Sequence, residues 1–386
     1  MSQPKCRVNI LGAGVSGLTT ALVLLQNSHY SVQIIATHLP SELALDYTSP
    51  WAGAHWRSYA DIDDLDQQAL DTATFKHLTH LAKHEPNAGV MFLYGHDYWD
   101  VKPKDFVDPW FKTLVEDYHY IPVADLPRGV EFGIRYRTVS VNAPKYLVYL
   151  QEKVLALGAT IHHGTVASLK ELAQIPHGSS RADVIINCSG LGSRILGGVL
   201  DHQMFPTRGQ IVIVKVDDAL WPLAKQFTCE RYAEGSAMGK GTITYVIPRV
   251  IPGQESANGE IVLGGTMQHW DWGNDKETTS EETTNAILRR VRETKPDLFT
   301  TAKVLRSCAG LRPNRRGGVR VSAAVEQLDW NEGWEKPVLV VAHNYGHAGF
   351  GYQASVGCAN KVVAEIERSL QQLDRARASS KTMSKL

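Results

Sequence analysis

A glycine-rich turn near the start of the chain constrains the fold more than any other feature. Gly12-Ala13-Gly14-Val15-Ser16-Gly17 matches the pattern G-x-G-x-x-G. Residues 7–11, which precede it, indicate a short buried strand, apolar positions at helical spacing follow it, and residues 30–35 indicate the next strand. This strand–turn–helix–strand order predicts a dinucleotide-binding unit, in which the glycines let a pyrophosphate approach the helix N-terminus. We therefore expect all six residues of the turn to contact a cofactor.

The end of the second predicted strand favours FAD over NAD. An NAD site usually has an acidic residue there, which holds a ribose hydroxyl. This chain continues Ile35-Ala36-Thr37-His38 and has no carboxylate at that place. Thr37 is the side chain that we expect to meet the adenosine ribose of FAD.

The distribution of periodic segments predicts two intermixed domains. Helical periods concentrate towards the two ends of the chain, and extended runs dominate the middle. We predict a mixed α/β fold (α+β), with a Rossmann-like FAD-binding domain assembled from discontinuous segments and a β-rich substrate domain. The predicted segments are 1–75, 140–205 and 305–370 for FAD binding, 76–139 and 206–304 for the substrate domain, and 371–386 as a flexible tail. Residues 230–241, polar and glycine-containing, are expected to form a mobile loop over the site.

Composition excludes several classes of protein. Lys+Arg (40) and Asp+Glu (40) balance to a formal net charge of 0, which argues against a nucleic-acid binder. No apolar run has the length of a membrane helix, so no membrane partner is expected. The five cysteines are scattered without a CxxC pair, so we predict no metal site and a reducing compartment. The sequence leaves the oligomeric state open.

The last three residues, Ser384-Lys385-Leu386, match the address that the peroxisomal import receptor reads. We therefore expect a peroxisomal location. Only one nucleotide fingerprint is complete, so a bound flavin would take electrons from the substrate and pass them to a small acceptor. With O2 as that acceptor the product is hydrogen peroxide, which suits a peroxisome.

Several sequence blocks together resemble the D-amino-acid oxidase and D-aspartate oxidase family, and the fungal members in particular. They occur in family order from residue 7 to about residue 360: the glycine turn, Ser49-Pro50-Trp51-Ala52-Gly53-Ala54, Asn187-Cys188-Ser189-Gly190-Leu191-Gly192, Arg208-Gly209-Gln210, Tyr245-Val246-Ile247-Pro248-Arg249, Gly310-Leu311-Arg312-Pro313 and His343-Asn344-Tyr345-Gly346-His347. The resemblance implies non-covalent FAD and oxidative deamination of a D-amino acid to a 2-oxo acid, ammonia and hydrogen peroxide. It also implies hydride transfer from the substrate Cα to flavin N5.

The same resemblance implies roles for individual residues. Arg312 matches the arginine that grips the substrate carboxylate, Tyr245 the tyrosine that hydrogen-bonds it, and Gly349 the residue whose carbonyl receives the amine. The remaining residues expected to contact the cofactor are Thr48, Ser49, Gly53, Ala54, Ser189, Gly190, Gly346, Phe350, Gly351, Tyr352 and Gln353, together with Gly349 itself.

The residues expected to choose between acidic and neutral substrate side chains depart from the pattern of the neutral-substrate members. His55 stands where fungal D-amino-acid oxidases commonly have Asn, and it resembles D-aspartate oxidases. With His55, the basic residues Arg57, Arg231 and Lys240 are candidates to bind an acidic side chain. Met267 argues in both directions, since it stands where fungal neutral-substrate enzymes carry Tyr and animal D-aspartate oxidases carry Arg, and its thioether suits an apolar wall. The sequence favours acidic D-amino acids and leaves open a broad or neutral specificity, a glycine or N-methyl amino acid oxidase, and a non-catalytic nucleotide sensor.

Overall fold

The computed structural model of the chain describes residues 6–178, 180–233, 243–251, 259–269, 279–328 and 338–383. In these residues the strands are β1 (Cys6–Leu11), β2 (Tyr30–Ala36), β3 (Ala54–His55), β4 (Val90–Trp99), β5 (His119–Tyr120), β6 (Phe132–Val141), β7 (Thr160–His163), β8 (Val184–Asn187), β9 (Met204–Lys215), β10 (Phe227–Tyr232), β11 (Ile243–Arg249), β12 (Glu260–Gly264), β13 (Gln268–His269), β14 (Lys303–Arg315), β15 (Arg320–Gln327) and β16 (Val338–Tyr345). The helices are α1 (Val15–Leu25), α2 (Leu65–His84), α3 (Ala143–Ala156), α4 (Leu169–Gln174), α5 (Trp221–Ala224), α6 (Glu281–Thr294), α7 (Pro296–Phe299) and α8 (Ser355–Met383).

A six-stranded sheet in the order β15-β16-β8-β1-β2-β7 forms one half of the molecule. All its neighbours pair in parallel except β15, which runs antiparallel to β16. Val8 and Ile10 of β1 join the hydrophobic core on one face, while Leu11 joins a second core on the other. A sheet buried on both faces has strands with continuous apolar runs, as residues 184–186 of β8 and residues 338–342 of β16 show.

A ten-stranded sheet forms the other half, with the main order β13-β9-β12-β11-β10-β4-β6-β3. β14 pairs with β9 from Lys303 to Arg315, and β5 pairs with β6. The two sheets confirm the predicted fold class, a Rossmann-like α/β unit combined with a β-rich unit. The domain boundaries stay a prediction.

The carboxyl ends of β1, β2, β8 and β16 lie at one edge of the six-stranded sheet, because these strands run parallel. The chain leaves β1 for β2 on one side and returns later as β8 on the other, so strand order reverses next to β1. Ligands of doubly wound sheets bind at this reversal, outside the carboxyl ends of the strands. The predicted cofactor residues that follow these four strands therefore share one edge.

The structure adds detail to two segments that were expected to be mobile. Helix α8 continues to Met383, so residues 371–383, expected to be a flexible tail, are helical, and their flexibility stays a prediction. The stretch is rich in good helix formers, and Leu373 is buried against the fold, which explains the longer helix. The predicted loop at 230–241 begins later than expected, since Glu230 and Tyr232 belong to β10. Residues 234–242 lie outside the described residues. Among the described helices none has the length and apolar character to cross a membrane.

Candidate active site

The turn between β1 and α1 has no room for a side chain at its three glycines. Gly12 has φ +108°, and a Cβ there would lie 2.6 Å from the Cys188 carbonyl oxygen at the end of β8. A Cβ on Gly14 would lie 2.9 Å from Ser49 Oγ, and one on Gly17 would overlap the Gly12 carbonyl oxygen. Any side chain at these positions would displace backbone or fill the space in front of the helix. Gly12 and Gly17 thus allow the tight turn and the close packing of the helix, and the approach of a pyrophosphate to Gly14 stays a prediction.

Side chains from residues 47–49 support this turn. Ser49 Oγ accepts from the Val15 backbone N–H at 3.1 Å, and the Tyr47 hydroxyl donates to the Ala13 carbonyl at 2.8 Å. The Tyr352 hydroxyl donates to the Ser49 carbonyl at 3.0 Å. The first turn of α1, with Gly14 as its N-cap, presents unpaired N–H groups and the positive end of the helix dipole.

The loop after β16 lies against the same turn. Ser16 Oγ donates to the Asn344 carbonyl at 2.8 Å, and a Cβ on Gly351 would lie 3.7 Å from Val15 Cγ1. Gly346 has φ +87°, whereas a Cβ on Gly349 would meet nothing within 4 Å. The loop is therefore fixed to the glycine turn and leaves open space beside Gly349.

Other predicted cofactor residues occupy the same edge. Ser189 Oγ lies 3.0 Å from Ser193 Oγ in the turn after β8, and Gly190 has φ +56°. Thr37 is exposed at the end of β2 and hydrogen-bonds Thr165 at 3.2 Å. Ala54 is buried in β3. The structure thus brings Thr37 and both serine-containing turns to the edge where the glycine turn lies.

Arg312 and Tyr245 share one face of the ten-stranded sheet. Across the strands Tyr245 pairs with Gly264, and Arg312 pairs with Thr207. Each of these two side chains packs against a glycine. A Cβ on Gly209 would lie 2.5 Å from Arg312 Nη1, and a Cβ on Gly264 would overlap the Tyr245 ring. Burial raises the pKa of Tyr245, and the Arg312 charge opposes that rise, so the phenol stays protonated as a hydrogen-bond donor. Arg312 Nη1 donates to the Thr266 carbonyl at 3.0 Å.

The cofactor segments hold the backbone on both sides of Arg312. Thr48 Oγ1 donates to the carbonyl of Leu311, the residue before it. The Ala348 N–H donates to the carbonyl of Pro313, the residue after it, at 2.9 Å. A Cβ on Gly53 would lie 3.4 Å from Tyr245 Cε2, so the 49–54 segment also contacts the second site residue. The predicted carboxylate-binding pair is therefore fixed to the predicted cofactor edge.

His55 is engaged by the protein's own side chains. Its Nδ1 lies 2.7 Å from Thr228 Oγ1, and its Nε2 lies 3.1 Å from Glu230 Oε1. The hydroxyls of Tyr59 and Tyr232 donate to the two oxygens of Glu230. Burial alone would raise the pKa of Glu230, but the hydrogen bond and charge of His55 together with Arg57 and Tyr232 lower it. Glu230 is thus a buried, ionised member of the site.

The other basic candidates are also paired with carboxylates. Arg57 is 1% exposed and donates through Nη2 to Asp97 Oδ2 at 2.8 Å. Arg231 donates through Nε to Asp100 Oδ1 at 2.6 Å. Met267 is 55% exposed. Lys240 lies outside the described residues. Of the four basic residues predicted to bind an acidic side chain, the three that the structure describes already have internal partners.

Two contributors to the site escaped the sequence analysis. Glu230 was taken as the start of a loop, although the alternation of Thr228, Glu230 and Tyr232 is typical of a strand with one polar face. Asp71 accepts from Ser58 Oγ at 2.6 Å and from Gln353 Nε2 at 2.7 Å, so the Gln353 amide is directed to α2. Asp71 takes one N–H group of this amide, and the contact between Gln353 and the cofactor stays a prediction. No sequence pattern signals a carboxylate that joins segments so far apart in the chain.

Comparison with known proteins places this geometry in a family. The model of the family described as "FAD dependent oxidoreductase" matches residues 7–365. The chain belongs to this family of FAD-dependent oxidoreductases. It is 36% identical over 357 residues to a D-amino-acid oxidase of Schizosaccharomyces pombe, covering 91% of this chain and 93% of the relative.

Two further similarities bear on this FAD-dependent oxidoreductase. It is 32% identical over 410 residues to a D-aspartate oxidase of Cryptococcus neoformans var. grubii, covering 92% of this chain and 95% of the relative. The crystal structure of glycine oxidase from Geobacillus kaustophilus shares the fold, with a TM-score of 0.67 and 16% identity, covering 95% of this chain and 96% of that one. The predicted family resemblance is thus confirmed.

The residues present fit FAD, the cofactor of this family of oxidoreductases. The side-chain-free turn at Gly12–Gly17 and the first turn of α1 suit a pyrophosphate. The open space beside Gly349 suits a ring placed against backbone. The buried Nε2 of His347, in the same loop, has no protein partner in the described residues. Each of these features lies at the carboxyl edge of the six-stranded sheet.

Proposed function

We propose that the protein is an oxidase of D-amino acids, which it deaminates to 2-oxo acids with release of ammonia and hydrogen peroxide. The observation that carries this proposal is the anchoring of Arg312 between two cofactor segments, through Thr48 to Leu311 and through Ala348 to Pro313. A cation fixed beside the cofactor edge binds a small carboxylate and holds the adjacent carbon at a defined place. This is the positioning that an amino-acid oxidase requires.

When bound, FAD would supply a two-electron acceptor, and the chain would supply orientation. Arg312 binds the substrate carboxylate through its planar fork, while one of its N–H groups remains on Thr266. The Tyr245 hydroxyl donates to the same carboxylate. The Gly349 carbonyl accepts from the substrate amine, which enters the space that a side chain would fill. These contacts would fix the substrate Cα beside the open space at Gly349, where FAD would accept the hydride, and no side-chain base would be needed at Cα.

The side-chain selectivity that the geometry supports best is broad or neutral. His55 and Arg57 are joined to Glu230 and Asp97, and Arg231 is joined to Asp100. The side-chain carboxylate of an acidic substrate would have to compete with Glu230, Asp97 and Asp100 for these basic residues. Preference for acidic D-amino acids, which the sequence favours, is the second candidate. It is supported by the histidine at position 55 and by the similarity to a D-aspartate oxidase.

Peroxide release from purified holoenzyme tests both levels of the proposal. The panel is D-Asp, D-Glu, D-Ala, D-Val and D-Phe, each with its L-enantiomer as the control. We expect turnover of the D-enantiomers only, with D-Ala, D-Val or D-Phe above D-Asp. Turnover of D-Asp and D-Glu alone would establish the second candidate, and oxidation of glycine or N-methyl amino acids alone would overturn the D-amino-acid assignment.

We further propose a peroxisomal location, supported by the terminal Ser384-Lys385-Leu386 and by the peroxide product. These three residues lie outside the described residues. A fluorescent fusion at the N-terminus is expected in peroxisomes, and removal of the three residues is expected to leave it diffuse. Diffuse fluorescence of the full chain would refute the location without affecting the proposed reaction.

A further inference from the structure

Glu230 lies on the same face of the ten-stranded sheet as Tyr245. It pairs directly with Tyr245 across β10 and β11, and with Asp97 across β10 and β4. Directly paired residues point to the same face, with Cβ atoms roughly 5 Å apart. Glu230 is only 4% exposed. A buried carboxylate thus stands next to the tyrosine that the proposed function assigns to the substrate.

The hydrogen bonds around Glu230 locate a proton. The Thr228 hydroxyl donates to the Val246 carbonyl at 2.7 Å, so its oxygen accepts from His55 Nδ1–H. The other ring nitrogen, Nε2, faces Glu230 Oε1 at 3.1 Å. Two lone pairs facing each other would repel, so a proton lies between these two atoms. The geometry thus joins His55 and Glu230 through one shared proton, and the hydrogen bonds and charges around Glu230 lower the pKa of its carboxyl.

The charges of the cluster cancel. The His55–Glu230 pair with its shared proton has no net charge, and Arg57 lies 3.8 Å from Glu230 Oε2 and 2.8 Å from Asp97 Oδ2. Burial raises the pKa of Asp97, and the Arg57 charge opposes that rise and favours the ion pair. The Arg57 guanidinium also lies 4.5 Å from the centre of the Tyr59 ring, and Tyr59 contacts Phe350 of the cofactor loop with ring centres 5.6 Å apart. The cluster therefore reaches from Tyr245 to the loop that contains Gly349, and it borders the site with no net charge.

We propose that Glu230 determines side-chain selectivity, because it neutralises His55 and so disfavours substrates with a side-chain carboxylate. This inference rests on the proposed oxidase function and assigns a role to a residue that does not bind the α-carboxylate. Removing one negative charge from a buried cluster makes the potential beside it more positive. At the separation of neighbouring strands, the effect on a second carboxylate is about tenfold or more in affinity.

The test compares wild type, Glu230→Gln, His55→Asn and the double variant. The readout is the ratio of kcat/KM for D-Asp to kcat/KM for D-Ala. We expect this ratio to rise about tenfold or more in Glu230→Gln and to fall in His55→Asn, which leaves the carboxylate uncompensated. The double variant, which loses both charges, should return towards wild type. Glu116→Gln, an exposed carboxylate paired with Arg137, is the matched control and should leave the ratio unchanged.

A binding measurement separates charge from a merely structural effect. Succinate and propionate are D-Asp and D-Ala without their amino groups, and calorimetry on the holoenzyme gives the ratio of their Kd values. That ratio should shift towards succinate in Glu230→Gln, while Glu230→Asp, which keeps the charge, should stay near wild type. Unchanged ratios in both Glu230→Gln and His55→Asn overturn the inference, and the second variant decides the matter if the first does not fold. If wild type oxidises no D-amino acid, the proposed function fails instead.

Discussion

Substitution of Gly209 by Ala should separate activity from stability. Gly209 lies in β9, opposite Gly310 of β14, and its missing side chain makes room for the Arg312 guanidinium. A Cβ there would lie 2.5 Å from Nη1 and 2.7 Å from Cζ and Nη2 of Arg312. Because these atoms are the far end of a flexible side chain, the guanidinium rather than the backbone has to move.

The size of the effect follows from those distances. Ordinary van der Waals contact begins near 3.4 Å, so the guanidinium must move by about 1 Å, and a displacement of that size costs up to about 100-fold in rate. We expect kcat/KM for D-Ala to fall roughly 10- to 100-fold, which corresponds to about 1.4–2.7 kcal/mol. Stability should hold or rise slightly, since Gly→Ala in a compatible backbone reduces the entropy of the unfolded chain.

Steady-state peroxide kinetics and thermal unfolding of the same preparations provide the assay. Gly164→Ala is the matched control, because a Cβ there would lie 4.0 Å from Ile35 Cγ2, the nearest atom outside its chain neighbours. Gly164 follows β7 of the six-stranded sheet, away from Arg312 on β14, so this variant should keep the wild-type kcat/KM for D-Ala when it is assayed with saturating FAD. Wild-type kcat/KM in Gly209→Ala would show that the guanidinium position does not matter, and the account of Arg312 would be wrong.

Three further substitutions probe neighbouring parts of the site. Arg312→Lys keeps the charge and loses the fork, so KM for D-Ala should rise roughly 10- to 100-fold in the peroxide assay, and an unchanged KM would remove Arg312 from carboxylate binding. Tyr245→Phe should raise KM roughly 2- to 10-fold with kcat nearly retained, since it deletes one hydrogen bond, and a loss confined to kcat would contradict that role. Burial raises the pKa of Asp71 to about 6, against the hydrogen bonds of Ser58, Gln67 and Gln353 that lower it. The native state therefore binds more protons than the unfolded state between about pH 4 and pH 6, and the free energy of unfolding should fall by up to about 3 kcal/mol as pH rises through that window. Denaturant unfolding of wild type and Asp71→Asn across this window checks the slope, which should be smaller in the variant; equal slopes would refute the assignment.

Local sequence patterns were sufficient to predict the cofactor edge. The turn at Gly12–Gly17 is a contiguous motif whose backbone needs are met by glycine alone, so its geometry is encoded within a few residues. Thr48, Ser49 and the loop at Gly346–Gly351 were found through family blocks. Their convergence depends on parallel strand order, which follows from the predicted βαβ connections.

The carboxylate partners of His55 and Arg57 could not be predicted in the same way. The partner of His55 is Glu230, and the partner of Arg57 is Asp97, both distant in sequence. Such pairs depend on the register of β4, β10 and β11, which hydrophobic periodicity does not specify to the residue. The sequence therefore shows that His55 and Arg57 are basic, but it does not show which carboxylates pair with them.

The central claim is that Arg312 and the glycine turn together present a D-amino acid to FAD. Anaerobic mixing of purified holoenzyme with D-Ala, followed by flavin absorbance, tests it most directly. The account predicts that the visible absorbance of oxidised flavin disappears with D-Ala, persists with L-Ala and returns on admission of air. Persistence with every D-amino acid of the panel, or equal bleaching by both enantiomers, would contradict it.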